Sequence, residues 1–117
     1  MKAQEIQQQL ESYNYMDAKV TKIDSKYFGD EVTVVFQNEN KEIEMQFLGC
    51  SKISFSTTVE DREKPLKLIE DKDLNYNIKK IEVTDCIQDK TILLNCTVDV
   101  FPLNLEICCN KISVSKK

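Results

Sequence analysis

A chain of 117 residues with 41% hydrophobic and 31% charged side chains, two Gly and two Pro, predicts a single domain, 1–117, with enough apolar content to fold without staples. A formal net charge of −4, with Arg62 the one arginine among sixteen basic residues, disfavours nucleic acid, which is held by clustered cations and bidentate guanidinium groups. The absence of His removes the usual general base, and the negative charge makes a basic protein the easier partner.

Residues 2 to 13 place Ala3, Ile6, Leu10 and Tyr13 on one side of a helical wheel, which predicts an amphipathic helix packed on the rest of the domain, with Asn14 ending it. From Met16 the apolar period changes to two. Asp17 to Tyr27 reads as a strand whose parity flips near Lys22, and Phe28-Gly29-Asp30-Glu31 reads as a turn. Glu31 to Asn38 follows with Val32, Val34 and Phe36 inward. After a turn at Asn38 to Lys41, Glu42 to Leu48 sets Ile43, Met45 and Phe47 against a polar face. Gly49 interrupts this run, and Ser51 to Thr57 is expected to continue as a further strand with Ile53 and Phe55 inward.

Thr58 to Leu74 keeps neither period for long. It is too long for an idle connection in a compact domain, so it predicts a short helical turn near Leu66 to Ile69, a functional surface, or both. Its carboxylates Glu60, Asp61, Glu63, Glu70, Asp71 and Asp73 outnumber its cations and form the candidate partner-binding residues. A charged run is more often a solvated face, and that reading stands beside the functional one.

Tyr76 to Cys86 returns to strand with a second parity flip near Lys79. Gln88-Asp89-Lys90 turns the chain into Thr91 to Phe101, which carries Ile92, Leu94, Cys96, Val98 and Val100 at every second position. Leu103 to Val114 closes the chain with a third flip near Asn110. The sum is a mainly β fold: an antiparallel meander of about seven strands, as a bent sheet or a sandwich, with one N-terminal helix. Parallel neighbours would need long crossovers that this spacing does not leave.

Chemistry is sparse along this frame. The five cysteines, Cys50, Cys86, Cys96, Cys108 and Cys109, lack the close paired spacing of zinc ligands, and their odd number predicts reduced thiols rather than disulfides. Adjacent Cys108 and Cys109 point to opposite faces of a strand and converge on nothing. Paired carboxylates such as Asp30-Glu31 fall in turns rather than a pocket. The expectations are no catalytic residue, no metal and no cofactor. The amino terminus lacks a signal-peptide core and no segment is apolar enough to span a membrane, so a cytoplasmic location is expected.

Three steps in this order carry a resemblance: Met16-Asp17-Ala18-Lys19-Val20 after the helix, Phe47-Leu48-Gly49-Cys50 closing a strand, and Leu105-Glu106-Ile107-Cys108 leading to Ile112-Ser113-Val114. The chain resembles small cytoplasmic immunity proteins of bacterial polymorphic toxin and contact-dependent inhibition systems, with Met16 where such families often carry His. The resemblance implies a non-catalytic protein that neutralises one cognate toxin by binding it, the toxin being a basic nuclease where the immunity protein is acidic. Two other readings stay open: a regulatory interaction module using a sheet edge, and a small-ligand binder in a curled sheet.

Overall fold

The computed structural model describes residues 3–57, 77–100 and 103–117. One helix, α1 (Ala3–Ser12), precedes six strands: β1 (Lys19–Lys26), β2 (Glu31–Asn38), β3 (Lys41–Thr57), β4 (Ile78–Gln88), β5 (Thr91–Val100) and β6 (Leu103–Lys116). The strands form one antiparallel sheet in the order β1-β2-β3-β6-β5-β4. The expected mainly β class holds, with two refinements. The runs on either side of Gly49 are one strand, which lowers the count to six. The chain makes two successive meanders, joined in the sheet by the pairing of β3 with β6.

The long β3–β6 ladder organises everything else. β2 pairs only with the first half of β3, from Lys41 to Leu48, and β5 pairs only with the first half of β6, from Leu103 to Cys109. Two four-stranded lobes therefore share the β3–β6 ladder, and the sheet bends where they meet. The bend is visible in the side-chain parity of both strands. In β6, Leu105, Ile107 and Cys109 are buried, and then Ile112 and Val114. In β3, Ile43, Met45 and Phe47 are buried, and the next residue against the core is Cys50. Gly49 sits between them at φ +65, and a Cβ built on it would lie 2.8 Å from Asn110 Nδ2 on the facing strand. Only a residue without a Cβ takes that conformation at that approach without strain.

A bulge displaces the register between Cys50 and Lys52, and two others fall between Val20 and Lys22 and between Ile78 and Lys80. All three expected parity flips are thus present, two as edge-strand bulges and the one near Asn110 as the bend. Strands that pass a corner by bulges and bends are how a single sheet turns back over its own core. The turn brings the outermost strands together at one end, where Asp17 N–H donates to Ile78 O (2.9 Å) and Ile78 N–H donates to Ala18 O (2.8 Å). The architecture is one curled sheet rather than two stacked ones.

Helix α1 fills the concave side. Ala3, Ile6 and Leu10 are buried, and Tyr13 packs against the same cluster. Gln7 and Gln9 tie the helix to strand backbone: Gln7 Nε2 donates to Ile81 O (2.9 Å), Gln7 Oε1 accepts from Val83 N–H (2.8 Å), and Gln9 Nε2 donates to Val114 O (3.0 Å). These glutamines use backbone groups that no neighbouring strand takes, which fixes the helix in rotation and depth. Asn14, in the left-handed region at φ 53, ends the helix as expected. Fully burying Ile6 and Leu10 contributes about 1.5–3 kcal/mol each, so this face of the helix is part of the core.

Candidate functional surface

Glu60, Asp61, Glu63, Glu70, Asp71 and Asp73, the carboxylates singled out from the sequence, lie outside the described residues. A different surface emerges at the loop end of the β1–β2 hairpin. The ladder there ends at Lys26 opposite Glu31, and Tyr27 to Asp30 form the loop. Tyr27 and Phe28 adopt φ 54 and 57, and Gly29 φ 93. Left-handed backbone suits Gly or Asn, and each aromatic held there costs about 1–2 kcal/mol. No burial offsets that cost, because Tyr27 is exposed and Phe28 is fully so. Two large apolar side chains are displayed on strained backbone, a pattern that marks functional sites more often than structural ones.

The loop borders a cleft of about 370 Å³ lined by Tyr27, Phe28, Gly29 and Asp30 on one side and Cys50 to Ile53 on the other. Gly29 lies so close to the second half of β3 that a Cβ on it would stand 3.2 Å from Ile53 Cδ1. Cys50 N–H donates to Asp30 O at 2.9 Å, the final backbone tie between the two sides. Beyond it, Ile53 is 39% and Phe55 56% exposed. The expectation that both point into the core is corrected in one respect. They face the core side of the sheet, opposite buried Ile107 and Leu105, but β2 stops at Leu48 and no described strand covers them.

A second apolar spot sits at the tip of the β4–β5 hairpin, where Ile87 and Ile92 face each other and both are exposed. Ile92 is the one member of the alternating series in β5 that does not reach the core, because β6 bends away after Cys109, the partner of Leu94.

The cysteines are free thiols distributed through the scaffold. Cys96 and Cys109 are in the core cluster, whereas Cys108 is buried on the opposite face, as strand alternation requires. Burial pushes the Cys96 thiol far up and, joined by the charges of Cys50 and Cys108, pushes the Cys109 thiol up to about 12. Burial, then the carboxylate of Asp30, raises Cys50, and burial with the neighbouring Cys108 raises Cys86. Raised thiols are poor nucleophiles at neutral pH. Among the described residues no three His, Cys, Asp or Glu side chains come close enough to hold a metal ion.

These thiols make stability depend on pH with a definite sign. A group whose folded pKa lies above the unfolded value of 9.0 stabilises fully below pH 9 and loses that contribution as pH rises through the folded value. The loss is at most about 1.4 kcal/mol per pH unit for each thiol. Urea midpoints are therefore expected to be flat from pH 7 to 8 and to fall above 9, with a shallower fall in Cys109→Ala. Equal slopes in the two proteins would rule out this linkage.

No helix among the described residues is long and apolar enough to cross a membrane. Compared with known proteins, residues 2–116 match the model of a family described as Immunity protein PIM7. No curated protein matches the chain.

Proposed function

Because this chain belongs to the Immunity protein PIM7 family, it has an immunity role, and we propose that it fulfils that role by binding one cognate toxin domain and occluding it, without catalysis. The family match over 2–116 carries the proposal. The surface at the hairpin loop supports it, since strained, exposed Tyr27 and Phe28 beside uncovered Ile53 and Phe55 offer aromatic anchors of the kind that dominate tight interfaces. Raised thiols at Cys50, Cys86, Cys96 and Cys109 suit a scaffold rather than a reactive centre. Five free thiols also suit the reducing cytoplasm as the place of encounter.

With a formal charge of −4, the favoured toxin is basic, and a nuclease domain with a cationic active site fits that description. The carboxylates Glu60, Asp61, Glu63, Glu70, Asp71 and Asp73 would then steer the encounter while the apolar surface sets the lifetime of the complex.

The test is co-expression with the toxin domain encoded beside this gene. Protection of growth and a one-to-one complex of nanomolar Kd are expected; a toxin that stays fully active in the presence of the folded protein would refute direct neutralisation. Raising salt from low to physiological is expected to cut the association rate about tenfold or more. Charge reversal at Glu60, Asp61, Glu70 and Asp71 to Lys is expected to slow association further while leaving the folding transition in place. A salt-independent rate would remove the electrostatic part of the proposal.

A further inference from the structure

β3 changes character at Gly49. Before it, the strand lies between β2 and β6; after the Asp30 O to Cys50 N–H tie, it pairs only with β6 among the described residues. From Ser51 to Ser56 the side away from β6 therefore presents alternating backbone donors and acceptors, and an extended peptide satisfies such a row at its own spacing.

The side chains along this edge specify what that peptide must carry. Ile53 and Phe55 stand directly across from Ile107 and Leu105, which are buried in the core. The apolar layer thus continues one strand beyond Ile107 and Leu105, and among the described residues no further strand follows it. Lys52, Ser54 and Ser56 alternate with them and face the other side. A strand laid here would extend the core layer if it bore apolar side chains at every second position.

The end of the edge has its own chemistry. The cleft between Tyr27–Asp30 and Cys50–Ile53 opens where an added strand would begin or end. Asp30 and Glu31 stand beside it, near enough to Cys50 for their charges to act on its thiol. The ion pairs of the described residues, Lys79 with Asp17, Lys80 with Glu82 and Lys117 with Glu44, use other carboxylates.

We propose that the toxin docks by adding an extended segment to the Ser51–Ser56 edge of β3, with alternate apolar side chains over Ile53 and Phe55 and a Lys or Arg against Asp30 and Glu31 at the Tyr27–Phe28 cleft. This rests on the direct-binding reading above and deepens it. Main-chain pairing supplies the affinity common to all strand additions, and the apolar pair and the carboxylates select the sequence.

Amide exchange of the free protein and of its complex with the inactivated toxin domain encoded beside this gene tests the proposal. In the free protein every second amide from Ser51 to Ser56, those facing away from β6, is expected to exchange rapidly; in the complex these same amides are expected to be protected. Phe55→Lys, at an exposed position, is expected to keep the folding transition and to weaken the complex about 30-fold or more.

Each other outcome overturns the proposal in a distinct way. Amides already protected in the dilute free protein mean that the edge is filled by the chain itself. Protection that appears only with rising concentration and dimerisation makes a second copy the occupant. A complex that forms with unchanged affinity for Phe55→Lys and unchanged exchange at the edge places the toxin elsewhere and leaves direct binding standing. No complex at all removes both readings.

Discussion

Gly49→Val is expected to destabilise the fold by about 2–4 kcal/mol. Two separable causes add up to that figure. A β-branched residue at φ +65 occupies a region that costs an L-residue about 1–2 kcal/mol. The new Cβ would also lie 2.8 Å from Asn110 Nδ2 and 3.1 Å from Asn110 Cβ, below ordinary contact distance. Shortening the facing side chain removes the second cause and not the first. In an Asn110→Gly background the cost of Gly49→Val is therefore expected to shrink by about 1 kcal/mol, a coupling read from urea unfolding of the four proteins in a double-mutant cycle. Full additivity would mean that the bend relaxes without involving Asn110. Losses of this size matter because a domain is stable by only about 5–15 kcal/mol.

The second large effect has opposite signs in two measurements on one variant. Tyr27→Asn/Phe28→Gly is expected to raise stability by about 1–2 kcal/mol, since both replacements tolerate the left-handed backbone that the aromatics occupy at a cost. Part of the relief is offset by the extra freedom glycine gives the unfolded chain. The same variant is expected to bind the toxin about tenfold or more weakly, because it lacks the aromatic anchors of the proposed interface. Thermal unfolding and titration calorimetry on the one protein read both signs. A variant that is less stable and binds unchanged would assign the two aromatics to the fold and remove the loop from the interface.

Together these predictions separate the parts of the molecule by their task. Gly49 and Asn110 hold the corner that curls the sheet around Ile6 and Leu10, and the consequence is felt at the other end of the ladder. Because the lobes diverge at that corner, β2 leaves β3 after Leu48, and the edge with Ile53 and Phe55 is left uncovered by β2. The device that builds the core thus also opens the proposed docking edge.

Much of this was legible in the residues. Period-two alternation is a local property of extended chain, so Val32, Val34 and Phe36, Ile43, Met45 and Phe47, and Leu94, Cys96, Val98 and Val100 could be read as inward, and they are buried. The helix was legible for the same reason at its own period. Parity flips at Lys22 and Lys79 announced bulges because two adjacent inward residues cannot share a face without one. The aromatic pair at Tyr27-Phe28 was also a signal, since a hairpin loop rarely uses such residues. The turn signal Phe28-Gly29-Asp30-Glu31 rests on Gly29 and does not use that pair.

Local periodicity determined the mainly β class, the single helix, the inward residues and the position of each interruption, because each depends only on neighbours a few residues away. Tertiary structure alone decided that β3 pairs with β6, that the interruption at Gly49 is a corner rather than a strand end, and that Ile53 and Phe55 lie in the correct parity yet remain exposed. Burial of a strand residue needs a neighbour beside the strand as well as a face to point to. That neighbour is supplied by pairing across 54 residues of chain in the case of Ile53 and Ile107, for which no local pattern carries the information.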